Sequence, residues 1–251
     1  MPNPTACLLV IGNEVLSGRT QDLNIKFLAT ELGAIGIPLR EVRVIPDVRD
    51  TIVATVNECR ARFDHVFTTG GIGPTHDDIT SECIAAAFGV PWEPHREAWA
   101  KMQASYKPGD FNAARQRMAT MPRGASLIES AVSVAPGFSI GNVHVMAGVP
   151  RVMQGQWATL RPTLHGGTPV QSRTVHAIGL QEGALAAGLT AVQDTFPDVD
   201  LGSYPFYRPG GNGVALVAKG TDAARLERCI DQVTRLVERL GHTPVSGEPQ
   251  P

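Results

Sequence analysis

Residues 5–12, TACLLVIG, are an unbroken apolar run that ends in glycine. The run is too short to span a membrane. It lacks the polar alternation of a strand with one wet face, so it reads as a strand covered on both sides, as in a parallel sheet. Such a sheet needs helices to cover it. DLNIKFLATELGAIG (22–36) supplies one, with Ile25, Leu28, Leu32 and Ile35 at helical spacing and Gly36 as a stop. REVRVIP (40–46) is a second strand and DVRDTIVATVNECRARF (47–63) a second helix, with Ile52, Val56 and Cys59 on one face. HVFTT (65–69) and ITSECIAAAFG (79–89) form a third pair. This alternation means right-handed crossovers and a mainly parallel sheet, hence an α/β fold.

The middle of the chain is less regular. PHREAWAKMQASY (94–106) and FNAARQRMATM (111–121) are expected as helices separated by KPGD, a helical insertion at about residues 90–122. SVAPGFSIGNVHVMAG (133–148) reads as an antiparallel hairpin on the sheet, and Pro150 suits the first turn of a following helix. The Gly/Pro/Ser-rich connector TLHGGTPVQSR (163–173) marks a boundary, giving domains over 1–165 and 166–251. Beyond it, SRTVHAIG, VDLGSYPF and NGVALVAKG read as strands. EGALAAGLTAVQDTF carries Leu185, Leu189, Val192 and Phe196 on one helical face, and Leu226, Ile230, Val233, Val237 and Leu240 stripe a second helix. That is a small α+β unit of βαββα order, and its tail, HTPVSGEPQP, is expected to fray.

A length of 251 residues suits one core with a smaller companion. The formal net charge is −2 and the basic residues are scattered. Neither nucleic acid nor a membrane is therefore expected as a partner. Cys7, Cys59, Cys83 and Cys229 are far apart, without zinc spacing, and read as reduced core thiols of a cytoplasmic protein.

The chemistry concentrates in TTGGIGPTHDDITSE (68–82). In a parallel sheet, ligands collect beyond the carboxyl ends of the strands. Three loops leave that edge: Gly12-Asn13-Glu14, Pro46-Asp47, and Gly70 to Asp78. Backbone curled by Gly70, Gly71 and Gly73 before a helix can approach an anion closely. The carboxylates Asp47, Asp77 and Asp78 oppose that. Two like charges about 4 Å apart repel by about 1 kcal/mol in water and about 4 kcal/mol at an effective dielectric near 20. A divalent cation such as Mg²⁺, held by Asp47 and Asp78 and bridging to phosphate, reconciles the two. The plainer alternative has Asp78 and Asp47 as helix N-caps, Asp77 and Glu14 as solvated charges and His76 as an exposed loop residue. GNEVLSGR lacks the P-loop spacing and its Lys-Ser/Thr, GGIGPT lacks the dinucleotide spacing, and Ser17, Ser81 and Ser203 have no triad context.

TTGGIGPTHDDIT resembles the signature of molybdopterin-binding domains of the MoaB/Mog type, in the branch of competence/damage-inducible protein A (CinA) and the N-terminal domain of animal FAD synthase. IGNEVLSGRTQDLNIKFLATELGAIGI is similar to that family's opening strand, glycine–glutamate loop and Asp-x-Asn helix start. VRVIPD, FNAARQRMATMPRGASLI and VMAGVPRVM resemble its second strand, its CinA-like insertion and its later ligand loop. RTVHAIGLQEGAL onward resembles the small domain of short CinA-like proteins. The resemblance implies a three-layer α/β/α sandwich. It also implies binding of a nucleotide or pterin, with hydrolysis of a dinucleotide pyrophosphate such as ADP-ribose or FAD. Molybdopterin binding or adenylylation is one alternative and a non-catalytic sensor another.

Carried over by position, Asp47 and Asp78 are the catalytic and metal-holding residues. Gly12, Asn13, Glu14, Gly70, Gly71, Gly73, Thr75, Asp77, Thr80, Gly148 and Pro150 are expected to bind ligand or phosphate. Asn13 and Ala147 depart from the usual residues, and loss of a proline at 147 implies a less rigid second loop. The nicotinamide mononucleotide activity of CinA's amidohydrolase domain is not expected of these residues. CinA-like proteins associate, so a homodimer is expected; the apolar helix stripe of the small domain and the aromatic stretch Tyr204-Pro205-Phe206-Tyr207 could furnish an interface.

Overall fold

The computed structural model describes residues 2–249. They form two compact units, Met1–Gly167 and Thr168–Pro251. The first unit opens with β1 (Ala6–Ile11), every residue of which is buried. A four-residue helix, α1 (Asn13–Leu16), and then α2 (Asn24–Ala34) follow. Next come β2 (Leu39–Ile45), α3 (Arg49–Arg62), β3 (His65–Thr69) and α4 (Thr80–Phe88). An excursion contains β4 (Trp92–Pro94), α5 (Arg96–Ser105), α6 (Ala113–Arg117) and β5 (Thr120–Pro122). The chain returns through β6 (Ser126–Ser130), β7 (Ser133–Ile140), β8 (Val143–Met146) and α7 (Pro150–Leu160).

The central sheet runs β2-β1-β3-β8-β7-β6. Its first four strands are mutually parallel, while β7 is antiparallel to both β8 and β6. The period of two along β1 sorts its side chains between two cores. Ala6, Leu8 and Val10 pack with Leu28 and Leu32 of α2 and Met153 and Trp157 of α7. Cys7, Leu9 and Ile11 pack with Ile52 and Val56 of α3 and Ile84 of α4. Both faces are covered, so the molecule has the α/β/α layering that the unbroken apolar run requires. The same sorting puts the helices following β1 and β3 on opposite faces. A crevice therefore opens between the carboxyl ends of these neighbouring strands.

Three local expectations need correction. The helix anticipated over 111–121 is only five residues long. Asn112 caps it by accepting from the Arg115 amide, and the chain then turns into β5, which pairs with β4. Pro122 cannot continue a helix, and the buried Met121 fixes the ribbon against α4. β6 was not anticipated, because SLIES offers a single apolar pair rather than an alternating pattern. In the second unit the described part of the tail, to residue 249, does not fray throughout, and residues 250–251 lie outside the described residues.

That unit comprises β9 (Gln171–Ile178), α8 (Glu182–Thr195), β10 (Asp200–Phe206), β11 (Gly213–Gly220) and α9 (Ala223–Arg239). A two-residue strand, β12 (Val245–Ser246), completes an antiparallel sheet ordered β10-β11-β9-β12. The otherwise unpaired edge of β9 captures the tail: the Gly247 amide donates to Thr174 O at 2.8 Å, and Thr174 Oγ1 donates to Glu248 at 2.7 Å. The core joins Leu185, Val192 and Phe196 to Leu226, Ile230, Val233 and Val237 over the β9–β11 face. All four cysteines are free and buried. Among the described residues no helix is long and apolar enough to cross a membrane.

Candidate functional site

The loops leaving β1, β2, β3 and β8 meet at the crevice. The Gly12 amide donates to Ile45 O at 3.1 Å, tying the end of β1 to β2. Asn13 then starts α1, and its backbone amide donates to Asp47 Oδ2 at 2.8 Å. The Asn13 contribution is thus a main-chain donor, which any non-proline residue supplies, so the departure noted at this position leaves the contact intact. Glu14 folds back so that its carboxylate would lie 2.6 Å from a Cβ at Gly12.

Gly70 and Gly71 have φ of 102° and 66°. These values fall where side chains are strained, and space forbids one as well. A Cβ on Gly70 would lie 2.1 Å from Ile11 O, and one on Gly71 would lie 2.2 Å from Thr80 Oγ1. That same position on Gly71 is 3.6 Å from Asp47 Oδ1. The glycines thus let the end of β3 pass against β1, with the Asp47 carboxylate beside the turn. The Thr80 amide donates to Gly71 O at 2.9 Å, so Thr80 fixes the loop from below. Among the described residues the amides of Gly71, Ile72 and Gly73 make no backbone hydrogen bond. Three successive free amides in a glycine-rich turn are donors available to a ligand.

The β8 loop closes the crevice. A Cβ on Gly148 would come 3.2 Å from the Gly70 Cα. Asn24, almost fully buried, donates to Gly148 O at 2.8 Å, and the Ala147 amide donates to the buried Gln156 Oε1 at 2.8 Å. A proline at 147 would have no amide for Gln156. The side chains of α2 and α7 therefore hold this loop, contrary to the reduced rigidity expected from the missing proline. Pro150 occupies the first turn of α7.

Asp47 and Asp78 behave differently from each other. Neither caps a helix: Val48 and Ile79 occupy the N-cap positions, without side-chain caps. The capping alternative is therefore removed. Asp47 is drawn upward in pKa chiefly by burial, with the nearby charges of Glu14 and Asp77 adding to it and the Asn13 amide opposing it. Asp78 turns back into its own loop instead. Its Oδ2 accepts from the Thr75 amide at 2.8 Å and from the Thr75 hydroxyl, and it would sit 2.6 Å from a Cβ on Gly73. The same hydroxyl reaches Asp77 Oδ1 at 2.7 Å, which draws the Asp77 pKa down. Thr75, His76 and Asp77 are exposed.

Asn24, Gln156 and Arg117 belong to this region although their chemistry gave no signal in the sequence. Asn24 was visible only as part of a helix start, and Gln156 and Arg117 lie on α7 and α6. A cleft of about 580 Å³ elsewhere, lined by Glu93, His95, Arg123 and their neighbours, contains none of the expected site residues.

A parallel sheet with a glycine-rich turn and an acidic residue at its switch point is the arrangement of a small-molecule-binding α/β domain. Residues 7–166 match the family model described as a probable molybdopterin binding domain, and residues 169–242 match that of the FAD synthase middle domain. The chain belongs to the molybdopterin-binding-domain family, in its CinA-like branch. It is 34% identical to a protein of Pyrobaculum calidifontis over 80% of this chain and 81% of that one. It is 32% identical to a CinA-like protein of Parasynechococcus marenigrum over 92% of this chain, and spans 58% of that relative's length. A crystal structure of the protein CinA, of unknown function, from Thermoplasma acidophilum superposes with a TM-score of 0.61 at 30% identity. That superposition covers 65% of this chain and 99% of the other.

Proposed function

We propose that the protein is a Mg²⁺-dependent hydrolase of dinucleotide pyrophosphates of the ADP-ribose or FAD type. The observation that carries this reading is the Asp47 carboxylate beside Gly71, with one oxygen held by the Asn13 amide and its charge disfavoured by burial, Glu14 and Asp77. The Asp47 oxygen not held by the Asn13 amide would serve as one ligand of a hard cation, with Glu14 and Asp77 adding negative charge nearby. A bound Mg²⁺ would neutralise charge on the pyrophosphate and lower the pKa of water.

The residues of the chain supply the rest. The amides of Gly71, Ile72 and Gly73 donate to phosphoryl oxygens and become more effective as negative charge grows there during attack on phosphorus. With Asp47 on the cation, the attacking water would be activated by the bound metal, and the Asn13 amide keeps the carboxylate in place. Asp78 shapes the loop through Thr75 and adds negative charge at its far end. Asn24 and Gln156 hold the opposite wall.

The family description supports a second reading, in which the same amides hold the phosphate of molybdopterin without turnover. Incubating the protein with ADP-ribose, FAD and NAD in the presence of Mg²⁺, Mn²⁺ or Co²⁺ separates the two. Release of mononucleotides supports hydrolysis. Tight pterin binding with no release from any dinucleotide refutes it.

A further inference from the structure

We propose that Arg117, delivered by the insertion between α4 and β6, is the cation that contacts the ligand's pyrophosphate. This deepens the reading above and rests on it for the chemical class of ligand. Four carboxylates, Glu14, Asp47, Asp77 and Asp78, belong to the loops of the strand edge, and an anion entering there needs an opposing charge from the protein as well as from a metal.

Arg117 is positioned for that. Its Nη2 donates to the Asp78 carbonyl at 3.3 Å, and its guanidinium carbon stands 5.1 Å from the Trp92 ring centroid. Trp92 is itself fixed, because its Nε1 donates to Ser81 Oγ and to Thr120 O, each at 3.0 Å. Arg117, Trp92, Ile72, Gly73 and Asp78 line one narrow cleft at the glycine loop. The insertion thus reaches back to the loop that carries the free amides.

Among the described residues no salt bridge pairs this guanidinium with a carboxylate. Arg43, Arg49, Arg62, Arg123, Arg161, Arg173 and Arg225 are all paired with carboxylates. Arg117 is held by a carbonyl and an indole face, while the neighbouring Asp78 carboxylate is turned toward Thr75. Among the described residues its Nε is buried with no hydrogen-bond partner. A planar guanidinium with an unpartnered Nε, sharing its cleft with Ile72 and Gly73, presents the kind of fork that pairs with phosphoryl oxygens.

The test is calorimetric titration of the full chain with inorganic pyrophosphate and Mg²⁺, comparing wild type with Arg117→Ala and Arg117→Lys. We expect Arg117→Ala to weaken binding at least tenfold. Arg117→Lys should recover part of the loss, since it keeps charge but not the fork or the stacking. If Arg117→Ala does not fold, Arg117→Lys decides alone: threefold or greater weakening supports the contact and unchanged affinity overturns it. Absence of pyrophosphate binding in wild type, or equal affinity in a folded Arg117→Ala, also overturns it. Pyrophosphate binding that depends on Arg117 without hydrolysis of any dinucleotide would leave the contact standing while removing the hydrolase reading.

Discussion

Asp47→Asn separates a functional carboxylate from a structural one, because the two roles predict opposite outcomes. The substitution preserves shape, and the new amide oxygen can accept from the Asn13 amide, which now donates to Asp47 Oδ2 at 2.8 Å. Replacing a charge-assisted hydrogen bond by a neutral one costs about 1 kcal/mol. Against this, the variant escapes the burial and the repulsion from Glu14 and Asp77 that raise the Asp47 pKa. Net stability at pH 7 should therefore stay within about 1 kcal/mol of wild type.

The sign of the pH dependence follows from the direction of the shift. A carboxyl whose pKa is raised on folding binds more proton in the native state, so it opposes folding increasingly as pH climbs from about 4 through the folded pKa. Asparagine carries no such cost. Urea unfolding of both proteins should show the variant gaining on wild type between pH 4 and pH 7. Turnover of ADP-ribose should fall at least about a hundredfold, equivalent to about 2.7 kcal/mol of barrier. A stability loss above about 2 kcal/mol would make Asp47 a structural residue, and full activity in a folded variant would refute its role in chemistry.

Asp78→Asn should remain within about 1 kcal/mol in stability, because an amide oxygen can replace the acceptor used by Thr75. Its turnover should stay within about threefold of wild type because Asp78 serves the loop through Thr75, and a hundredfold fall would place Asp78 in the chemistry. Gly70→Ala would force a Cβ to within 2.1 Å of a backbone carbonyl at φ 102°, and denaturant unfolding should reveal a loss of about 3 kcal/mol. A loss under about 1 kcal/mol would mean that the β1–β3 junction is loose. His144 is pushed down to about pKa 3 by burial and by His65 beside it, so the unfolded chain protonates first and stability drops as pH falls below about 6.5. Going from pH 7 to pH 4 should cost about 3 kcal/mol through this residue, and His144→Gln should lose correspondingly less over the same range.

The sheet was legible because β1 has apolar side chains on both faces and because three helices carry their apolar positions at helical spacing. The loops of the crevice were legible as a group, since a parallel sheet sends the carboxyl ends of all its strands to one edge. Side-chain direction was not. Asp47 and Asp78 look equivalent in sequence, yet one faces the Asn13 amide and the other its own loop, a difference set by contacts between residues distant along the chain. The amide side chains of Asn24 and Gln156 act through carbonyl and amide groups of the β8 loop, which no residue pattern encodes. The β4–β5 ribbon and β12 are short and supported by pairing rather than by propensity, so FNAARQRMATM looked helical throughout and the tail looked free.

The most direct test is the release of AMP from ADP-ribose by the purified full chain, followed by chromatography with Mg²⁺ and again with excess chelator. AMP should form with Mg²⁺ in proportion to protein, stop on chelation, return when Mg²⁺ is restored, and be nearly absent with Asp47→Asn. Formation of AMP that is indifferent to chelation and to Asp47→Asn would contradict the account, as would a folded protein that releases no AMP with any divalent cation.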